Sequence, residues 1–189
     1  MIDWSSHPRI QRAAGHMLHG GVIAYATEAV WGLGCAPDNE HAVRKILQLK
    51  KRAEAKGLIL VAADIEQFAP YLQGLTSTQL QTLRASWPGP HTWLVPHNGT
   101  APAYIRGKFD SVALRVSAHP VVVGLCRAFG GPIVSTSANP QGMQPAREQF
   151  QVQRYFGGQL DDIAPGRVGN AAKPTQIRDL LTGQVLRPS

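Results

Sequence analysis

What most constrains this chain is a series of apolar runs of strand length, each cut off by glycine, proline or a cluster of small polar residues. Residues 22–26, 58–61, 92–95, 111–116 and 133–134 are too short for buried helices and carry the β-branched side chains that suit a sheet. Between them lie stretches with helical spacing. Pro8 stands at a first helical position ahead of Ile10, Ala13, Ala14, Met17 and Leu18, and Gly20-Gly21 ends the run. Asn39 is placed to cap a helix whose apolar stripe is Ala42, Val43, Ile46, Leu47 and Leu49. Asp64 opens a brief helix, Thr76 caps another, and Pro120 starts one through Val121, Leu125 and Phe129. A helix over 147–156 and strands over 177–180 and 185–187 complete the series. Strands and helices mix without strict βαβ repetition, so the expectation is an α/β (α+β) fold with helices flanking a mixed β-sheet. With no linker, repeat or low-complexity tract, residues 1–189 read as a single domain.

The charge is distributed unevenly. A formal net charge of +7 raises the expectation of polyanionic partners, meaning nucleotides or nucleic acid. Arg44, Lys45, Lys50, Lys51, Arg52 and Lys56 lie within thirteen residues, with Glu54 the only acid among them. One account of Lys50-Lys51-Arg52 is a solvated helix end, where cations complement the helix dipole. The other is a phosphate clamp, because Lys56 follows across a turn and a fully apolar strand begins at once. No apolar run approaches the roughly 18 residues that span a bilayer, and the N-terminus lacks the pattern of a secretory signal. The cytoplasm is the expected location. Cys35 and Cys126 are far apart and read as buried free thiols, and His16 and His19 have no third ligand in view, so no metal site is expected.

The common nucleotide signatures are missing. Gly107-Lys108 lacks the rest of a P-loop, and Gly32-Leu33-Gly34 does not continue as GxGxxG. A phosphate site must then be built from side chains and irregular backbone. Ser135-Thr136-Ser137-Ala138-Asn139 reads as a small polar loop after a strand, either satisfying its own backbone or donating to ligand oxygens. Arg115 sits inside the apolar strand Val112-Ala113-Leu114-Arg115-Val116 and needs an anionic partner, an internal carboxylate or a ligand. With only 12 acidic residues in the chain, the ligand competes well with the carboxylate.

Taken in order, these segments are similar to the YrdC family. The resemblance rests on Ala26-Thr27-Glu28 with Gly32-Leu33-Gly34-Cys35, Leu49-Lys50-Lys51-Arg52 with Lys56-Gly57-Leu58-Ile59, and Trp87-Pro88-Gly89-Pro90 with Thr92. Ala113-Leu114-Arg115-Val116 with His119-Pro120, and then Ser135 to Asn139, complete it across nearly the whole chain. Each element is short and weak alone; the ordered set is specific. The resemblance implies a twisted mixed sheet flanked by helices, with a basic concave site. It also implies a reaction in which L-threonine, bicarbonate and ATP give threonylcarbamoyl-AMP and pyrophosphate, with Mg2+ carried by the ATP. The product would feed a transferase complex that modifies the adenosine beside the anticodon of tRNA.

Carried over by position, the family pattern puts Lys50 and Arg52 on the ATP phosphates as the catalytic pair. Lys56, Thr92, Ser137, Asn139 and Arg187 would surround the nucleotide, and Thr27, Arg115, Ser135 and Thr175 would hold threonine. Departures from the family pattern include Ala26 and Ala53 where many members have proline, and Val61 where some longer members have histidine. Such chemistry needs cations and oriented donors more than a strong base. A non-enzymatic RNA-binding protein is the alternative, and the same charge cluster supports it; an enzyme of tRNA modification could also touch RNA weakly. Against it, the chain lacks the aromatic pairs of RNA-stacking modules.

Overall fold

The computed structural model describes residues 4–171 and 175–188. Helix α1 (Pro8–Leu18) begins with proline in its first turn, and the ring of His7 accepts from the Arg9 amide. Strands β1 (Ile23–Ala26) and β2 (Trp31–Gly34) form a hairpin, followed by α2 (Glu40–Lys50), whose first turn is capped by Asn39. Strand β3 (Ile59–Ala62), a 3₁₀ segment over Glu66–Leu72 and helix α3 (Ser77–Ser86) come next. Thr76 and Gln79 close a reciprocal capping box on α3. Then follow β4 (His91–Pro96), α4 (Ala103–Arg106), β5 (Ser111–Val116), α5 (Pro120–Phe129), β6 (Ile133–Ser137) and α6 (Gln149–Phe156). Three short strands, β7 (Asp162–Ile163), β8 (Gln176–Asp179) and β9 (Val185–Arg187), end the series.

The strands form one nine-stranded sheet in the order β7-β1-β2-β6-β3-β5-β4-β8-β9. Pairs β1–β7, β3–β5 and β4–β8 are parallel and the rest antiparallel, which makes the sheet mixed as expected. The structure departs from the sequence reading at several points. The chain has a strand at 31–34 where none was expected; Gly32 and Gly34 weaken the local signal, but neighbours on both sides hold the segment in the ladder. A side chain at Gly34 would meet the ring of Tyr25 and the carbonyl of Val134 at 2.7 Å, so close approach of the strands requires glycine there. The polar loop expected from Ser135 is strand through Ser137, because β2 and β3 pair with β6 along that length. The brief helix expected at Asp64 is a 3₁₀ segment containing Pro70.

Alternation along the strands sorts side chains to two faces. Ala24, Leu60, Val134 and Leu114 pack on one face beneath residues of α2, α3 and α6, in the larger apolar core. Ile23, Tyr25, Val61 and Ile133 pack on the other face against Ile10, Ala13 and Met17 of α1 and Val122 and Leu125 of α5. Helices α1 and α5 cover only part of that second face. The register places Arg115 beside Val61, Ser135 and Ala113 beside Ile59, and Leu94 beside Ala113, all on the same face. This stretch lies beyond the helices and forms a concave floor.

Candidate functional site

Two adjoining hollows lie on that floor. The first, of about 190 Å³, is lined by Thr27, Glu28, Gly32, Arg52, Arg115, Ser135, Ser137, Thr175 and Arg187 among others. The second, of about 260 Å³, is lined more by apolar groups, including Leu58, Ile59, Leu94, Phe109 and Ile177, with Lys56 and Arg106 also among its lining residues. Arg52 and Arg187 border both. Of the residues singled out from sequence, seven therefore line the first hollow, and Lys56 lines the second.

The first hollow has a strong positive field. Among the described residues, three guanidinium groups, Arg52, Arg115 and Arg187, line it with Glu28 as the only carboxylate. Burial lowers the Arg187 pKa, and the charges of Arg115 and Arg52 lower it further, which reports how close together the cations lie. Arg52 comes from the turn after α2; burial lowers its pKa too, and its Nη2 donates to the Gly57 carbonyl at 2.9 Å. Arg187 donates to the Thr175 carbonyl at 2.8 Å, while the Thr175 hydroxyl lies 3.0 Å from that of Thr92. Thr92 is fully buried and outside the lining, so what it does locally is hold Thr175.

Lys50 is the last residue of α2 and only 5% exposed. Its ammonium donates to the Ser137 carbonyl, to the Asn139 carbonyl at 2.9 Å and to the Asn139 side-chain oxygen at 3.4 Å. The Ser137 hydroxyl in turn donates to Asn139 Oδ1 at 2.6 Å. Lys50, Ser137 and Asn139 thus form one knot that ties the end of α2 to the end of β6, and Ser137 is its member on the lining. No carboxylate pairs with Lys50 among the described residues, and burial, with Arg52 adding, pushes its pKa down to about 8.

Arg115 has an internal carboxylate after all. Its Nη1 lies 3.0 Å from Glu28 Oε2, and Glu28 Oε1 accepts from the Ser117 hydroxyl at 2.6 Å. Arg115 is 6% exposed, and its Nε is buried without a partner. Ser117 Oγ accepts from the His119 amide, and the His119 ring contacts the Arg167 carbonyl at 3.1 Å. Burial raises the Glu28 pKa, but Arg115 and the Ser117 hydroxyl overcome it, and the group is held below the usual carboxylate range. Burial lowers the His119 pKa, partly opposed by Glu28. The sequence reading assigned no role to Glu28, Ser117 or His119. Glu28 and His119 stood in the segments Ala26-Thr27-Glu28 and His119-Pro120, and Ser117 in none of them.

Among the described residues, no helix is long and apolar enough to cross a membrane, and no three His, Cys, Asp or Glu side chains gather as a metal site. Cys35 and Cys126 are buried free thiols.

Comparison with known proteins bears on the same fold. The family model Sua5_yciO_yrdC, described as "Telomere recombination", matches residues 16–189. A protein of Cellvibrio japonicus named threonylcarbamoyl-AMP synthase is 60% identical over 189 residues, covering 100% of both chains. A protein of the same name from Saccharophagus degradans is 54% identical, covering 99% of this chain and 98% of its own. Among solved structures, P. abyssi Sua5 complexed with L-threonine superposes with a TM-score of 0.88 at 30% identity. That match takes in 95% of this chain and 53% of the P. abyssi chain.

Proposed function

Because the chain belongs to the Sua5–YciO–YrdC family, we propose that it is an enzyme joining L-threonine, bicarbonate and ATP into threonylcarbamoyl-AMP, with release of pyrophosphate. One observation carries this reading: three guanidinium groups line one hollow against a single carboxylate. Gathering cations in this way, with Arg115 buried and Arg52 half-buried, is costly unless an anion completes the site. The reaction supplies two, a triphosphate and an amino-acid carboxylate. A narrow, partly buried hollow suits such small anions better than the wide backbone of structured RNA, which favours the enzyme over a purely RNA-binding protein.

The two hollows divide the substrates between them. The polar one takes threonine, with Arg115 on its carboxylate and Thr27, Ser135 and Thr175 around it. The apolar one takes the adenine end of ATP, with Lys56 at hand. Arg52 and Arg187, which border both, lie where the phosphates must pass, and the Lys50–Ser137–Asn139 knot fixes the end of β6 beside them. Thr92 acts through Thr175. Threonine's free amine bonds to the carbon of carbon dioxide, and the proton it loses joins the hydroxide that bicarbonate releases, leaving a carbamate and water. A carbamate oxygen then attacks the α-phosphorus, the bond to the bridging oxygen breaks, and pyrophosphate leaves with the electron pair. Charge develops on the phosphoryl oxygens, so preorganised guanidiniums lower the barrier without a general base. Mg2+ enters as part of the ATP substrate and keeps most of its water, consistent with a hollow that holds only one carboxylate among the described residues.

Residues 1–189 serve as one catalytic unit in the cytoplasm, and the adenylate passes to a transferase complex that modifies tRNA. The test is pyrophosphate release by the purified chain. Release that needs ATP, threonine and bicarbonate together is expected; release indifferent to threonine, or none with all three present, would contradict the reading.

A further inference from the structure

Glu28 stands at the tip of the β1–β2 hairpin, and the partners of its carboxylate stand on β5 and just after it. In sheet order β1 and β5 are four strand spacings apart, about 19 Å if the sheet were flat. The hairpin loop and the reach of both side chains close that span to a 3.0 Å ion pair. It places a negative charge at the edge of a hollow that otherwise collects positive charge. Such a group needs an explanation, since lining with cations alone would serve a triphosphate better.

The backbone around Glu28 is tied down. Thr27 donates to the Val30 carbonyl through both its amide, at 3.1 Å, and its hydroxyl, at 2.7 Å. Gly169 and Ala171 donate to the Thr27 and Glu28 carbonyls at 2.9 and 3.0 Å. The side chain is oriented by Arg115 on one oxygen and Ser117 on the other, and Ser117 is itself held by the first turn of the segment leading into α5. A carboxylate has about four acceptor positions; Arg115, Ser117 and the residue's own backbone amide occupy three, which leaves one for a ligand. The side chain is 21% exposed and lines the hollow together with Arg115, Thr27 and Ser135.

We propose that Glu28 is a specificity-determining residue that receives the α-amino group of the bound amino acid, so that Arg115 and Glu28 together read a zwitterion. This rests on the assignment of threonine to the polar hollow. The guanidinium takes the substrate's carboxylate and the carboxylate takes its nitrogen, and the Arg115–Glu28 contact sets the separation between the two. An N–H donor remains on the nitrogen whether it is ammonium or free amine, so the same contact orients the nucleophile before and after it loses its proton. The charge on Glu28, kept by Arg115 and Ser117, suits it to accept a hydrogen bond and not to carry a proton away.

The test compares L-threonine with (R)-3-hydroxybutyrate, which lacks only the amino group, by titration calorimetry on the full chain in the presence of ATP. Wild type is expected to bind threonine about tenfold or more tightly than the deaminated compound, the scale of a charge-assisted hydrogen bond. Equal affinities for the two overturn the proposal without recourse to any variant. In Glu28→Gln, threonine affinity is expected to fall about tenfold or more, while that for (R)-3-hydroxybutyrate changes less than about threefold. A parallel loss for both ligands would mean that Glu28 serves only to brace Arg115, and would overturn this proposal alone. Failure of threonine to bind the wild type would overturn the substrate assignment and this inference with it.

Discussion

The stretch from Lys50 to Lys56 has an inner and an outer side with similar residues and opposite surroundings. Outside, Lys51 is exposed in the left-handed conformation that ends α2, and nearby Arg44 is exposed and bridged to Glu40 at 2.8 Å and Glu54 at 3.3 Å. Inside, Lys50 is buried and Arg52 half-buried, and neither meets a carboxylate among the described residues; carbonyl and side-chain oxygens hold them instead. A solvated cation with an acidic neighbour contributes little and asks for nothing more. A buried cation held only by dipoles is left with charge to spare, and the protein tolerates that cost where a ligand brings the balancing charge. The contrast divides the two accounts of the basic stretch: a solvated helix end describes its outer side, and the proposed phosphate clamp is confined to its inner one.

The largest expected effect lies beyond the inner side of this stretch, at Arg115 on the floor of the polar hollow. Arg115→Ala should lower threonine-dependent pyrophosphate release about 100-fold or more, the usual scale for removing a preorganised charge-stabilising donor. The KM for threonine should rise much more than that for ATP. Equal changes in both would reduce Arg115 to a brace for the sheet.

A smaller effect belongs to Lys50 and appears as pH dependence. Its pKa is about 8 in the folded chain against an ordinary 10.5, so between those values the unfolded chain holds more protons than the folded one. Stability should therefore rise with pH across that window in wild type relative to Lys50→Met, in denaturant titrations at several pH values. Over the same range kcat/KM for ATP should fall as the ammonium loses its charge, and Lys50→Arg should remove that limb. A pH profile unchanged in Lys50→Arg would show that the charge of Lys50 does not reach the phosphates.

The sequence showed the parts of this molecule better than their meeting. Pro8, Asn39 and Thr76 mark helix starts through local chemistry, and the apolar runs at 22–26, 58–61 and 111–116 became β1, β3 and β5 because their faces must be buried. Strand β2 escaped notice because two glycines remove the side chains that announce a strand, although the close packing of Tyr25 depends on one of them. Ser135 to Ser137 looked like loop because hydroxyls carry no periodic apolar signal, whereas pairing on both sides makes them strand. The demand of Arg115 for an anion was visible, but the identity of Glu28 as its partner was not. They are 87 residues apart and meet only through the order of the strands and the hairpin loop that carries Glu28, a property of the whole assembly of strands.

The inner–outer distinction is tested most directly by measuring threonine-dependent pyrophosphate release in Arg52→Ala and Lys51→Ala side by side under one set of conditions. Adjacent in sequence, the two residues differ in charge environment and not in formal charge. Arg52→Ala should lose about 100-fold in turnover, while Lys51→Ala should stay within about twofold of wild type, as expected for a solvated surface cation. Comparable losses in both variants, or full activity in Arg52→Ala, would contradict the assignment of the inner side to the phosphates.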